Sequence, residues 1–157
     1  MEVKGRKIKE FNPFDLPNAT QEQLTNEVKK LIDAIDENAD TPVTLSENVL
    51  IYSQLLYLYG EIRVRCQKAY SMVKLENKNK ELILLNDIKD EWSKDHDGKA
   101  PTAKYFEAKV ALQMKEDKLK EIKCAEQVER FDNAYDATKE KMNAVKRKID
   151  SIRYESI

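Results

Sequence analysis

Apolar residues recur along most of the chain at spacings of three and four, the period of one face of an α-helix. Three such stripes predict helices over residues 20–38, 45–94 and 102–154. Between the second and third helices, residues 95–101 hold two aspartates, a glycine and a proline. This is the strongest turn signal in the sequence.

Side chains that cap helices stand where the first two predicted helices begin. Thr20 and Gln23 have the spacing of a capping box, in which each side chain bonds the backbone N–H of the other residue. A second box, starting at Thr44 or Ser46, opens the second helix. Pro42 is expected to stop any continuation of the first helix.

The third predicted helix carries an unbroken heptad pattern. Its seam positions alternate by four and three from Cys124 to Ile152, which favours coiled-coil packing. We expect this face to join subunits through the following residues: Val128, Phe131, Tyr135, Met142, Val145, Ile149 and Ile152.

The stripes of the two long helices lie at comparable distances from the turn. The simplest fold is all-α, a long antiparallel helical hairpin with coiled-coil packing, with the shorter N-terminal helix folded back along it. Further apolar positions at Leu50, Leu55, Leu58 and residues 82–85 would then need a partner. We therefore expect a homo-oligomer.

Residues 1–19 precede the helical domain at 20–157 and show no helical period. Prolines at positions 13 and 17 favour extended geometry before each of them. The segment is expected to be an extended arm. It is either a disordered tail or a strap that docks Phe11, Phe14 and Leu16 on a neighbouring molecule.

Composition supports a helical protein. Charged residues make up 36% of the chain, and only three glycines and four prolines are present. No apolar run is long enough for a membrane span, the N-terminus lacks an apolar signal region, and the two cysteines suggest no disulfide framework. We expect a cytoplasmic protein, in the host cytoplasm if the gene belongs to a phage.

Catalytic patterns are missing from the sequence. With three glycines, the chain has no phosphate-binding glycine loop and no serine nucleophile elbow. The single histidine, His96, lies between two aspartates in the polar turn, where a solvated turn is a better interpretation than a metal site. We expect no enzyme activity, no metal and no cofactor.

Cations gather on the second predicted helix. The net charge of the chain is −1, so binding of nucleic acid would have to come from a local patch. Tyrosines lie within and beside this stretch, and cations combined with aromatic rings suit single-stranded nucleic acid. A solvated helix face is the alternative. The candidate DNA-binding residues are Arg63, Arg65, Lys68, Lys74, Lys78 and Lys80.

Part of the same helix has a familiar pattern, carried by Asn48, Val49, Tyr52, Ser53, Leu56 and Ile62. Here the chain resembles the UvsY family of T-even phage recombination mediators, without a gap from Asn48 to about Lys80. A basic pair of the family would fall on Lys78 and Lys80. A Tyr-x-Glu element follows at residues 105–107, and the helical C-terminus is similar in pattern, whereas the N-terminal arm here is longer.

The resemblance implies an oligomeric protein that binds single-stranded DNA. Such a mediator helps a recombinase to assemble on the strand in place of single-strand-binding protein, and it hydrolyses nothing. Lys78 and Lys80 would contact phosphates, and the heptad helix would hold subunits together. The alternative function is a non-enzymatic protein-interaction module, such as a phage-encoded inhibitor or a helical scaffold.

Overall fold

The structure, a computed structural model, describes residues 11–96 and 98–157. Residues 1–10 of the expected arm and Asp97 of the expected turn lie outside the described residues. Within the described part, the chain is all-helical and has no strand, as predicted. The helices are α1 (Gln21–Ala34), α2 (Pro42–Asp95), α3 (Ala103–Gln113) and α4 (Lys115–Glu155), with a short 3-10 helix at Leu16–Asn18.

The capping box of α1 is present as predicted. The Gln23 N–H donates to Thr20 Oγ1 at 3.1 Å, and the Thr20 N–H donates to Gln23 Oε1 at 2.9 Å. The helix ends at Ala34, earlier than residue 38. Beyond it, Asp36 Oδ1 accepts the Asn38 N–H at 2.9 Å, a local side-chain bond that replaces helical bonding.

The predicted capping box of α2 is wrong by one turn. The helix begins at Pro42, and Thr41 and Thr44 each accept the other's backbone N–H at 3.2 Å. Thr44 is therefore the far end of the box, and Ser46, the fifth residue of the helix, lies beyond its first turn. Pro42 does not block the helix, because the first helical residue needs no backbone N–H donor.

Helix α2 is a single helix of 54 residues, about 80 Å long at 1.5 Å per residue. It continues through the polar residues 74–81 and ends at Asp95. Gly98 follows with φ of +130°, a conformation that side chains disfavour, in agreement with the predicted turn.

The third predicted helix is wrong as one element, because the structure divides it at Met114. Met114 has φ −91° and ψ 3°, and its side chain is fully buried. No proline or glycine is involved. The break follows from packing, since Met114 shares an apolar cluster with Ile88, Phe106 and Val110.

The chain forms two compact units, Met1–Ile62 with Asn133–Ile157, and Arg63–Asp132. In the first unit, helices α2 and α4 pack together. Leu45 is buried against Ile149 and Ala39. Leu55 and Leu58, which were expected to need a partner molecule, are also buried within the chain.

Helices α2 and α4 also meet in the second unit. Arg63 bonds to Asp132 near the start of this stretch of α2, and Asn77 bonds to Asp117 further along. Later positions on α2 thus contact earlier positions on α4, so the two helices are antiparallel here, as predicted.

The described part of the N-terminal arm is not extended throughout, because Leu16–Asn18 form a 3-10 helix. Leu16 is only 3% exposed, and Pro17 lies in the first turn of the 3-10 helix. Burial of the Leu16 side chain in its own chain is the physical reason. Phe14, by contrast, is 93% exposed.

Candidate nucleic-acid interface

All six predicted DNA-binding residues lie on α2 within the second unit. Two of them are held by carboxylates of α4. Arg63 Nε donates to Asp132 Oδ1 at 2.6 Å, and Lys80 Nζ donates to Asp117 Oδ2 at 2.7 Å. These ion pairs reduce the charge that either cation presents to a phosphate. Arg65 is half-buried and engaged in an interaction of its own.

The other three cations are exposed. Lys68, Lys74 and Lys78 form no ion pair with any residue in the described part of the chain. Lys74 Nζ lies 5.8 Å from the centre of the Tyr70 ring, within cation–π range. Lys74 and Lys78 are four residues apart and therefore neighbours on the helix surface. These three lysines are the part of the predicted site that is available to a polyanion.

The polar stretch at residues 74–81 has an internal role that the sequence did not reveal. Asn77 is buried, and its Nδ2 donates to the backbone oxygen of Asp117 at 2.9 Å. Glu81 pairs with Lys118 at 3.5 Å in the same region. The loss of the apolar stripe is thus partly explained by polar contacts between α2 and α4.

The tyrosines near the cations differ in accessibility. Tyr57 is largely exposed and lies in the first unit. Tyr70 is half-buried, and it is the tyrosine that lies beside a candidate lysine. Tyr59 is half-buried, and this burial raises the pKa of its phenol. Of the three, Tyr70 is best placed to stack on a base whose phosphate is bound by Lys74.

Three of the seven predicted oligomerisation residues pack against their own chain. Val145, Ile149 and Ile152 pack on the cluster that contains Leu45 and Ala39. The remaining four, Val128, Phe131, Tyr135 and Met142, are half-buried. The heptad therefore serves, at least in part, to join α4 to α2 within one molecule.

A second group of exposed cations lies on α4, the helix that the heptad pattern predicts to be a coiled-coil seam. Its residues are exposed and form no ion pair among the described residues. The signal was available, since residues 139–148 hold five cations and one carboxylate. The five cations are Lys139, Lys141, Lys146, Arg147 and Lys148.

The described residues contain no group of three or more His, Cys, Asp or Glu side chains that could hold a metal ion. His96 stacks on Trp92 with ring centres 4.7 Å apart. Cys66 has a raised thiol pKa, first because of burial and then because of nearby Cys124 and Asp132.

No helix in the described part of the chain is long and apolar enough to cross a membrane.

Comparison with protein-family models, curated proteins and solved structures finds no match. The resemblance to recombination mediators therefore stays a prediction from the sequence.

Proposed function

We propose that this chain is a non-enzymatic protein that binds single-stranded DNA and acts as a recombination mediator. It would help a recombinase to assemble on the strand in place of single-strand-binding protein. The observation that carries the DNA-binding part is a set of exposed lysines on α2 that have no carboxylate partner within residues 11–96 and 98–157. These are Lys68, Lys74 and Lys78. The mediator part rests on the resemblance of residues 48–80.

The chemistry of these lysines suits a sequence-independent site. Ammonium groups attract phosphates without selecting bases, and a planar ring beside them offers a stacking surface. Lys74 and Lys78 are separated by about 6 Å along the helix axis, and the Tyr70 ring lies beside Lys74. Three lysines on one chain give only weak binding, so useful affinity would come from several copies acting on one strand.

The first test is a Lys74→Ala/Lys78→Ala double variant. Binding to fluorescently labelled oligothymidine, followed by anisotropy at low salt, should weaken at least about tenfold, because two phosphate contacts are lost. The variant should keep its helicity, since both side chains are exposed. Lys80→Ala is a poorer probe of binding, because Lys80 is paired with Asp117.

A control with the same change of charge separates local contacts from net charge. Lys94→Ala/Lys99→Ala removes two exposed lysines from the same unit and should leave affinity within about twofold of the parent. Equal affinity of the parent and the Lys74/Lys78 variant would contradict the DNA-binding proposal. Normal DNA binding without faster recombinase assembly on strands coated with single-strand-binding protein would contradict only the mediator part.

The alternative function, a protein-interaction module, is favoured by one observation. The first unit has a groove lined largely by apolar residues, and Phe14 beside it is 93% exposed. Absence of binding to single strands at low salt would favour this alternative.

A further inference from the structure

A groove in the described part of the first unit lies between the N-terminal segment, α1 and α2. Its cavity volume is about 640 Å³. Apolar side chains supply most of its lining, with Glu27 and Lys30 among the polar ones. Those apolar residues are Phe11, Pro13, Leu16, Leu31, Tyr57 and Leu58.

Phe14 lies beside this groove but does not enter it. Its neighbours Pro13 and Leu16 line the groove, whereas the Phe14 side chain is 93% exposed. A turn holds Phe14 in place. The Phe14 N–H donates to the side-chain Oδ1 of Asn12 at 3.0 Å, and the Asp15 N–H donates to the backbone carbonyl oxygen of Asn12 at 3.1 Å. An exposed phenyl ring on an ordered turn is preorganised for binding, since part of the ordering cost precedes association.

We propose that the groove of one molecule receives Phe14 of a second copy of this chain. Phe14 is 93% exposed and does not line the groove of its own molecule, so its ring is available to the groove of another copy. The groove volume is ample for a phenyl side chain, and full burial of such a ring is a large apolar contribution at an interface.

Charge complementarity supports the same occupant. Lys30 lines the groove with its side chain 78% exposed, and its ion pair with Glu27 is long, at 3.9 Å. Asp15 follows Phe14 directly and would enter beside it. The Asp15 carboxylate accepts both of its bonds at 2.9 Å from the Asn18 amide, which leaves it able to accept from Lys30 of the second copy as well.

Every copy carries both the phenyl ring and the groove. The exchange can therefore close as a reciprocal pair or continue head to tail into a ring. The proposal does not rest on the proposed DNA binding, because all of its residues belong to the first unit and the candidate lysines belong to the second.

The test compares the association of full-length parent and Phe14→Ala by sedimentation velocity over a range of concentrations. Phe14→Ala should weaken self-association at least about tenfold, as expected for removal of an aromatic anchor. Its helicity should be unchanged, because the side chain is exposed. Val43→Ala is the matched control, since Val43 is an exposed apolar residue of the same unit outside the groove, and it should associate as the parent does.

A second variant blocks the groove while keeping the phenyl ring. Ser53 is exposed and lines the groove, so Ser53→Trp should fill it and weaken self-association as Phe14→Ala does. A mixture of the two variants restores one intact ring-and-groove contact, and it should form mixed complexes that neither variant forms alone. A photoreactive phenylalanine at position 14 should crosslink to a second molecule within residues 27–31 or 53–58.

Three results would overturn the proposal. The first is a parent chain that stays monomeric at about 100 µM, where an interface of micromolar Kd would be mostly assembled. The second is self-association that Phe14→Ala leaves intact, which would assign the groove to another segment or to another protein. The third is a crosslink from position 14 that stays within its own molecule.

Discussion

One buried amide side chain joins the connection after α1 to the first turns of α2. Asn48 is 5% exposed. Its Oδ1 accepts a hydrogen bond from the backbone N–H of Asp36 at 3.0 Å, and its Nδ2 donates to the backbone carbonyl oxygen of Asp36 at 2.8 Å. Both backbone groups of Asp36 are thereby satisfied by a single side chain. Asn48 also belongs to the residues on which the predicted resemblance to recombination mediators rests, and the structure gives it a role in folding that requires no DNA.

Asn48→Ala should lower the free energy of unfolding by about 1–3 kcal/mol, because it leaves two backbone groups without their partner. Asn48→Asp should be at least as damaging, since a carboxylate oxygen would face the Asp36 carbonyl oxygen. Urea denaturation followed by circular dichroism measures both effects. The exposed neighbour is the control, and Glu47→Ala should change stability by no more than about 0.5 kcal/mol. A fully stable Asn48→Ala would show that these bonds contribute nothing net.

At the scale of the elements, the break between α3 and α4 is the feature that tertiary packing imposes. The backbone bonds continue on both sides of the break, with the Met114 N–H donating to Val110 at 2.9 Å and the Lys118 N–H donating to Met114 at 2.8 Å. The interruption at Met114 therefore keeps backbone hydrogen bonds on both sides. It accompanies the burial of Phe106 and Val110 against Ile88 of α2.

Met114→Ala should lower the free energy of unfolding by about 2–4 kcal/mol, the usual cost of truncating a fully buried side chain. Leu112→Ala is the matched control, because Leu112 lies two residues away and is 77% exposed. Its effect should stay within about 0.5 kcal/mol. Equal stabilities of the two variants in thermal and urea unfolding would mean that Met114 does not anchor the cluster.

At the scale of the whole molecule, charge is abundant but nearly balanced. The chain has 28 basic and 29 acidic residues apart from His96. Long-range attraction of a polyanion is therefore weak, and binding depends on local sets of cations without carboxylate partners. Arg63 and Lys80 are held in ion pairs, and Arg65 is half-buried and engaged in an interaction. Of the six predicted cations of α2, three are therefore both exposed and without an ion pair among the described residues.

The salt dependence of the affinity for single strands measures the number of phosphate contacts. If one chain neutralises three phosphates, the logarithm of affinity for single strands should fall with the logarithm of salt concentration at a slope of about −2. Raising the salt from about 50 to 200 mM should then weaken binding about 20-fold, and Lys74→Ala/Lys78→Ala should reduce the slope by about 1.4.

Anisotropy titrations at several salt concentrations give the slope. A slope near zero would rule out phosphate contacts, whereas a much steeper slope would indicate several copies on one strand or participation of the α4 cations.

The sequence by itself determined that the chain is helical, where most helices lie and which faces of α2 and α4 are apolar. It also placed the capping box at Thr20 and Gln23. These features depend on residues three or four positions apart, so the local period of an α-helix is enough to predict them. Helix ends were less accurate, because side chains such as Asp36 and Thr41 compete for the terminal backbone groups.

Only the tertiary structure decided which cations remain available. Arg63 and its partner Asp132 are 69 positions apart, and Lys80 and Asp117 are 37 apart. The burial of Asn77 and Met114, and the exposure of Phe14 near buried Leu16, were also decided only by the tertiary structure. Such outcomes depend on which distant surfaces meet, and helical periodicity contains no information about that.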